Sequence, residues 1–186
     1  MKDRVSQQAE SRLGELMLQY PEPKSAIMYG LYLAQEEFGV LDQRAVQWLS
    51  ARLDMAPAHV WEVITFYSLY YKHPVGRYHF QVCRTLSCEL RGSRAIVEYL
   101  KQRFALKAGE VSADGLWSYE EVECLGSCGT APVCQINDCY FENLTLEKLG
   151  EIVDRISRVK PDLRLSTLKD SLGEGLKGYS KSEVLS

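Results

Sequence analysis

Four of the six cysteines fall into two short pairs, Cys83 and Cys88 in C-R-T-L-S-C and Cys124 and Cys128 in C-L-G-S-C. Read as C-x4-C, a long interval and C-x3-C, this spacing can bring four thiolates onto one inorganic centre. It suits an iron-sulfur cluster more naturally than a disulfide net, and the chemistry expected of it is electron transfer. A 2Fe-2S core takes two thiolates per iron, and short loops let each pair converge on a small target. Its oxidised form with four thiolates is a dianion, and one-electron reduction adds a further negative charge, so the chain must supply compensating donors. Leu125-Gly126-Ser127-Cys128-Gly129 offers backbone N–H groups on a loop whose glycines permit close approach, and Thr85 and Ser87 add hydroxyls. Arg84 beside the centre would raise its potential, while Glu121 and Glu123 would lower it; the alternative for each is ordinary solvated charge.

A structural zinc site is the main competitor, because zinc also takes four cysteines, although paired C-x2-C knuckles are commoner in such sites. In that reading the chain is a binding module that scaffolds an assembly, and the protein is colourless. Thiol-disulfide exchange favours C-x-x-C at a helix N-terminus, a pair this sequence lacks. Cys134 and Cys139 fall in an expected hairpin, offset from both loops, and read as small buried hydrophobes. His59, His73 and His79 are scattered singly and read as structural. G-x-G-x-x-G at 173–178 follows no strand and lacks the βαβ unit of a nucleotide site. Asn143-Leu144-Thr145 forms a glycosylation triplet in which Thr145 already has a capping role.

The first residues, Met1-Lys2-Asp3-Arg4-Val5, are polar and show no secretory pattern, so the thiols are expected to be reduced and available to metal. With 46% hydrophobic and 25% charged residues and no run near the roughly 20 apolar residues of a membrane span, the composition is that of a globular protein without direct membrane insertion. A formal net charge of -3 argues against nucleic acid as the main ligand.

The elements that must position the cysteines come in two kinds. Residues 1–74 read as a small helical bundle. One helix at about 6–19 ends before Pro21 and Pro23, and another at 25–38 carries Ile27, Leu31, Ala34 and Phe38 on one stripe. Asp42 caps a third bearing Val46, Leu49 and Leu53, and Pro57 opens a fourth bearing Val60, Val63, Ile64 and Tyr67. The aromatic run Phe66-Tyr67-Ser68-Leu69-Tyr70-Tyr71 cannot place every ring on one stripe. Local core packing is the plainer reading, with some rings left for a neighbour as the other. After His73-Pro74-Val75-Gly76 the period changes to 2, and Tyr78, Phe80 and Val82 alternate with His79 and Gln81 as in a half-buried strand that delivers the chain to Cys83. A helix at 93–104 and a strand at 116–122 lead to Cys124 in the same way. Strands at 131–136 and 139–141 flank an Asn137-Asp138 turn, and Thr145 caps a last helix bearing Leu146, Leu149, Ile152, Val153 and Ile156. The order β-α-β-β-β-α over 75–160 predicts a thioredoxin-like α/β domain with a mixed sheet, so the fold class is α+β. Residues 161–186, weakly periodic, read as a tail that is mobile or ordered on a partner.

Q-V-C-R-T-L-S-C, then V-E-C-L-G-S-C-G-T-A-P-V and Q-I-N-D, with T-F-Y-S and H-P-V-G-R-Y before the first cysteine, resembles the thioredoxin-like 2Fe-2S subunit of respiratory complex I, the NuoE family. The resemblance runs to about residue 157 and implies that Cys83, Cys88, Cys124 and Cys128 are the ligands of one 2Fe-2S cluster. It implies a flavoprotein (NuoF-like) partner, forming a heterodimer, that carries FMN and takes a hydride from NADH, with the helical region helping to bind it. Further iron-sulfur subunits of the peripheral arm, and a cytoplasmic location peripheral to the inner membrane, follow from the same resemblance. A hydride carries two electrons and a 2Fe-2S cluster stores one, so a chain with no nicotinamide or flavin site is expected to carry electrons and not to be catalytic alone. Related subunits serve NAD-linked hydrogenases, formate dehydrogenases and electron-bifurcating complexes. Cys134 and Cys139 depart from the commonest residues at their positions in the family.

Overall fold

The computed structural model describes residues 4–164, which divide at Pro74 into two compact units. In the first, α1 (Gln7–Met17) starts where the Ser6 hydroxyl accepts from Ala9 N–H, and α3 (Gln43–Leu53) starts where Asp42 accepts from Arg44 N–H. A 3-10 turn over Pro23–Ala26 precedes α2 (Ile27–Phe38), so the second helix begins two residues later than its sequence pattern predicts. Pro57 opens α4 (Pro57–Phe66). Leu13, Leu31, Val46, Leu49 and Ile64 meet in one apolar core.

The aromatic run is divided. Tyr70 enters the core and donates to the Met28 carbonyl at 3.1 Å, and Gln35 holds this segment by donating to Leu69 O and accepting from Tyr71 N–H. Phe66 and Tyr67 are exposed instead. Tyr67 therefore does not share the buried stripe of α4, because the helix ends at Phe66 and Tyr67 is extended.

The second unit is a four-stranded sheet in the order β2-β1-β3-β4, formed by β1 (Tyr78–Cys83), β2 (Trp117–Val122), β3 (Cys134–Ile136) and β4 (Cys139–Phe141). β1 runs parallel to β2 and antiparallel to β3, and Ile136 opposite Cys139 closes the hairpin at Asn137-Asp138. Two helices cross from β1 to β2: α5 (Leu86–Leu90), a single turn not foreseen in the sequence, and α6 (Ser93–Phe104). The last, α7 (Leu146–Val159), is capped by Thr145, which accepts from Lys148 N–H. Ile96 and Leu100 of α6 and Leu149, Val153 and Ile156 of α7 share a core with Tyr78, Phe80, Val82 and Tyr119.

The first strand is not half-buried. All six of its residues are buried, because β1 lies in the interior of the sheet. Its polar side chains find partners within the unit, except that Gln81 Oε1 is buried without one. Ser118 Oγ accepts from Gly76 N–H at 2.8 Å and lies 2.8 Å from His79 Nδ1, and the Glu120 carboxylate, which can only accept, takes the hydrogen of His79 Nε2 at 3.1 Å. Gln81 donates to the same carboxylate at 2.8 Å. Pro161 and Leu163 also belong to this unit: Tyr78 Oη donates to the Pro161 carbonyl and Asp138 N–H to that of Leu163. The remainder of the expected tail, from 165, and the G-x-G-x-x-G match lie outside the described residues.

Candidate metal centre

The parallel pairing of β1 with β2 decides where the cysteines go. Cys83, the last residue of β1, stands in register with Val122, the last of β2, and Cys124 follows two residues later. The crossover through α5 and α6 thus brings the carboxyl ends of two strands together, the position at which open α/β sheets hold ligands. α5 turns Cys88 inward, where it shares a small apolar cluster with Cys83, Ala131 and Val133; Cys83 and Cys88 are each 2% exposed. Cys124 and Cys128 lie at the surface, their sulfurs 3.5 Å apart. The thiols stand two and two. Among the described residues, no three His, Cys, Asp or Glu side chains close on one point as ligands of a single metal ion.

Each pair contains one thiol held below the ordinary thiol value and one pushed above it. Burial opposes ionisation of Cys83, yet Thr85, the Leu125 N–H and Cys88 together hold it below the ordinary thiol value. Burial, with the bond to Cys83, pushes Cys88 up to about 11. The Gly126 N–H, then Cys128 and Thr85, lower Cys124, while the bond to Cys124 and its charge raise Cys128.

Two of the groups expected beside the sulfurs lie next to them. Thr85 Oγ1 lies 3.2 Å from Cys83 Sγ, and Gly126 N–H donates to Cys124 Sγ at 3.4 Å. These groups, with thiols paired two and two, fit a binuclear centre. Arg84 pairs with Glu123, Nε to Oε1 at 3.0 Å, on the surface, so the two charges largely offset each other. Cys134 and Cys139 are fully buried in the sheet core, and burial pushes the Cys134 thiol well up. His79 is held in the sheet by Ser118 and Glu120, and is structural.

Two residues of β4 and its end escaped the sequence reading. Tyr140 Oη donates to the Leu125 carbonyl at 3.1 Å, and Glu142 accepts from Ser127 and from Thr130, the latter at 2.7 Å. Both fasten the loop that carries Cys124 and Cys128. The alternation that buries Cys139 and Phe141 and turns Tyr140 and Glu142 outward is visible in the sequence, but their target is not.

Comparison with known proteins agrees with this geometry. The family model of the thioredoxin-like 2Fe-2S ferredoxin matches residues 13–157. The chain is 41% identical over 145 residues to a subunit of NADH-quinone oxidoreductase from Rickettsia bellii, a match that covers 76% of this chain and 87% of that protein. It is also 41% identical over 144 residues to a subunit of NADH-quinone oxidoreductase from Thermus thermophilus, covering 76% and 80% respectively. Among solved structures, an NAD+-reducing NiFe-hydrogenase in the air-oxidized state is similar with a TM-score of 0.63 at 22% identity, over 73% of this chain and 23% of that one. That likeness is one of fold, and the chain spans less than a quarter of the hydrogenase chain. With the family model matched over residues 13–157 and relatives 41% identical over most of their length, the chain belongs to the thioredoxin-like 2Fe-2S ferredoxin family.

Proposed function

We propose that this chain is the one-electron-transfer subunit of an NADH-quinone oxidoreductase, with Cys83, Cys88, Cys124 and Cys128 as the ligands of one 2Fe-2S cluster. The observation that carries the reading is the meeting of the two cysteine pairs at the adjacent ends of β1 and β2. When bound, such a cluster accepts and returns one electron at a time. The chain's own residues would hold and insulate it: Cys83 and Cys88 would anchor it beside Ala131 and Val133, Thr85 and Gly126 would donate to its thiolates, and Tyr140 and Glu142 fasten the outer loop. Cys124 and Cys128 face outward, which gives a partner access to the centre.

A hydride brings two electrons, so its oxidation belongs to a partner: a flavoprotein subunit with FMN, to which the helical unit helps bind this chain. Exposed Phe66 and Tyr67 at the end of α4 support that role for the helical unit. Relatives named as quinone reductase subunits at 41% identity favour this assembly over hydrogenase or formate dehydrogenase. Among the described residues no helix is long and apolar enough to cross a membrane. Co-purification from the native host tests the reading: a flavoprotein should accompany the chain, and NADH should reduce the cluster only when that partner is present. Recovery with a hydrogenase or a formate-oxidising subunit would overturn it.

A further inference from the structure

Thr85 occupies the N-cap position of α5, where a threonine hydroxyl ordinarily accepts from an exposed helix N–H, yet its side chain makes no capping bond. Its hydroxyl is turned to sulfur instead, 3.2 Å from Cys83 Sγ.

A metal-bound thiolate has no hydrogen to give, so the threonine hydroxyl must be the donor in the loaded protein. A donor on the sulfur withdraws negative charge, and this stabilises the reduced, more negative centre more than the oxidised one. We propose that Thr85 is a positioning residue that raises the reduction potential of the centre by donating its hydroxyl hydrogen to Cys83 Sγ. No proton leaves the hydroxyl and no bond to iron changes; the hydrogen bond strengthens when the electron arrives. The inference rests on the reading of the four cysteines as cluster ligands.

The test is an EPR-monitored potentiometric titration of the full chain with its cluster, in wild type, Thr85→Val and Thr85→Ser. Valine keeps the shape and removes the hydroxyl, so the midpoint should move down; serine keeps the hydroxyl, so the midpoint should stay near that of wild type. An unchanged midpoint in Thr85→Val with iron and sulfide intact overturns the inference and leaves the cluster reading standing. A downward shift in Thr85→Ser equal to that in Thr85→Val also overturns it, since the methyl would then be responsible. If Thr85→Val does not retain a cluster, Thr85→Ala decides. A lowered midpoint supports the proposal, whereas loss of the cluster in both variants and its retention in Thr85→Ser shows that the hydroxyl holds the loop and overturns the tuning role. Wild-type protein without iron and sulfide overturns the cluster reading itself.

Discussion

Cys83 and Cys128 stand at the two extremes of the centre, one buried at a strand end and the other at the surface, and both are needed if the four thiols act as one ligand set. Cys83→Ala and Cys128→Ala should each abolish or severely destabilise the visible absorption of the cluster. Cys134→Ala should keep the spectrum and lower stability by about 1 kcal/mol, the scale of one small group lost from a core. Loss of the spectrum in Cys134→Ala alone, read alongside a urea titration, would contradict the ligand set. Cys134 should also resist alkylation, because burial raises its pKa and the thiolate is the reacting form. Mass spectrometry should find it unlabelled by iodoacetamide in the native protein and labelled after guanidinium unfolding. The grouping of these cysteines into two pairs was legible from spacing, since each pair lies within one short loop. Tyr140 and Glu142 were not, because they reach Leu125 and Ser127 across 15 residues and through a hairpin whose orientation only the fold decides.

At the scale of elements, the close approach of β1 and β2 begins at Gly76. A Cβ there would lie 2.5 Å from the Trp117 carbonyl carbon and 2.8 Å from Ser118 N, both backbone atoms of β2. Neither can move without disturbing the parallel ladder that aligns Cys83 with Val122. Gly76→Ala should therefore lower stability by roughly 3 kcal/mol, at the upper end of ordinary overpacking. Gly30→Ala should cost less, because the nearest atom, Leu49 Cδ2 at 2.6 Å, is the far end of a flexible side chain. Thermal unfolding of the two variants checks the order, and a Gly76→Ala protein as stable as wild type would contradict the tight approach. Thr145→Ala should cost about 1 kcal/mol, the usual worth of an N-cap. Caps at Asp42 and Thr145 and the Asn137-Asp138 turn were legible because their partners lie within a few residues. The full burial of β1 was not, since the partners of His79 and of Gln81 Nε2, Ser118 and Glu120, lie some 39 residues away or more. α5 escaped because five residues are too few to display a period.

At the scale of the whole molecule, each unit has its own apolar core, one around Leu31 and Leu49 and the other around Phe80 and Ile152. A chain beginning near Tyr71 should fold and carry the cluster, yet bind the flavoprotein more weakly than the full protein. Pull-down with both forms measures this, and undiminished binding would reject a docking role for the helical unit. The central claim concerns the centre itself. Iron, acid-labile sulfide and zinc should be determined on one anaerobic sample of the natively loaded full chain, followed by low-temperature EPR after dithionite. The account predicts about two irons and two sulfides per chain, as a binuclear cluster requires, with the signal of one unpaired electron. Stoichiometric zinc with neither iron nor sulfide would contradict it and make the protein a scaffold.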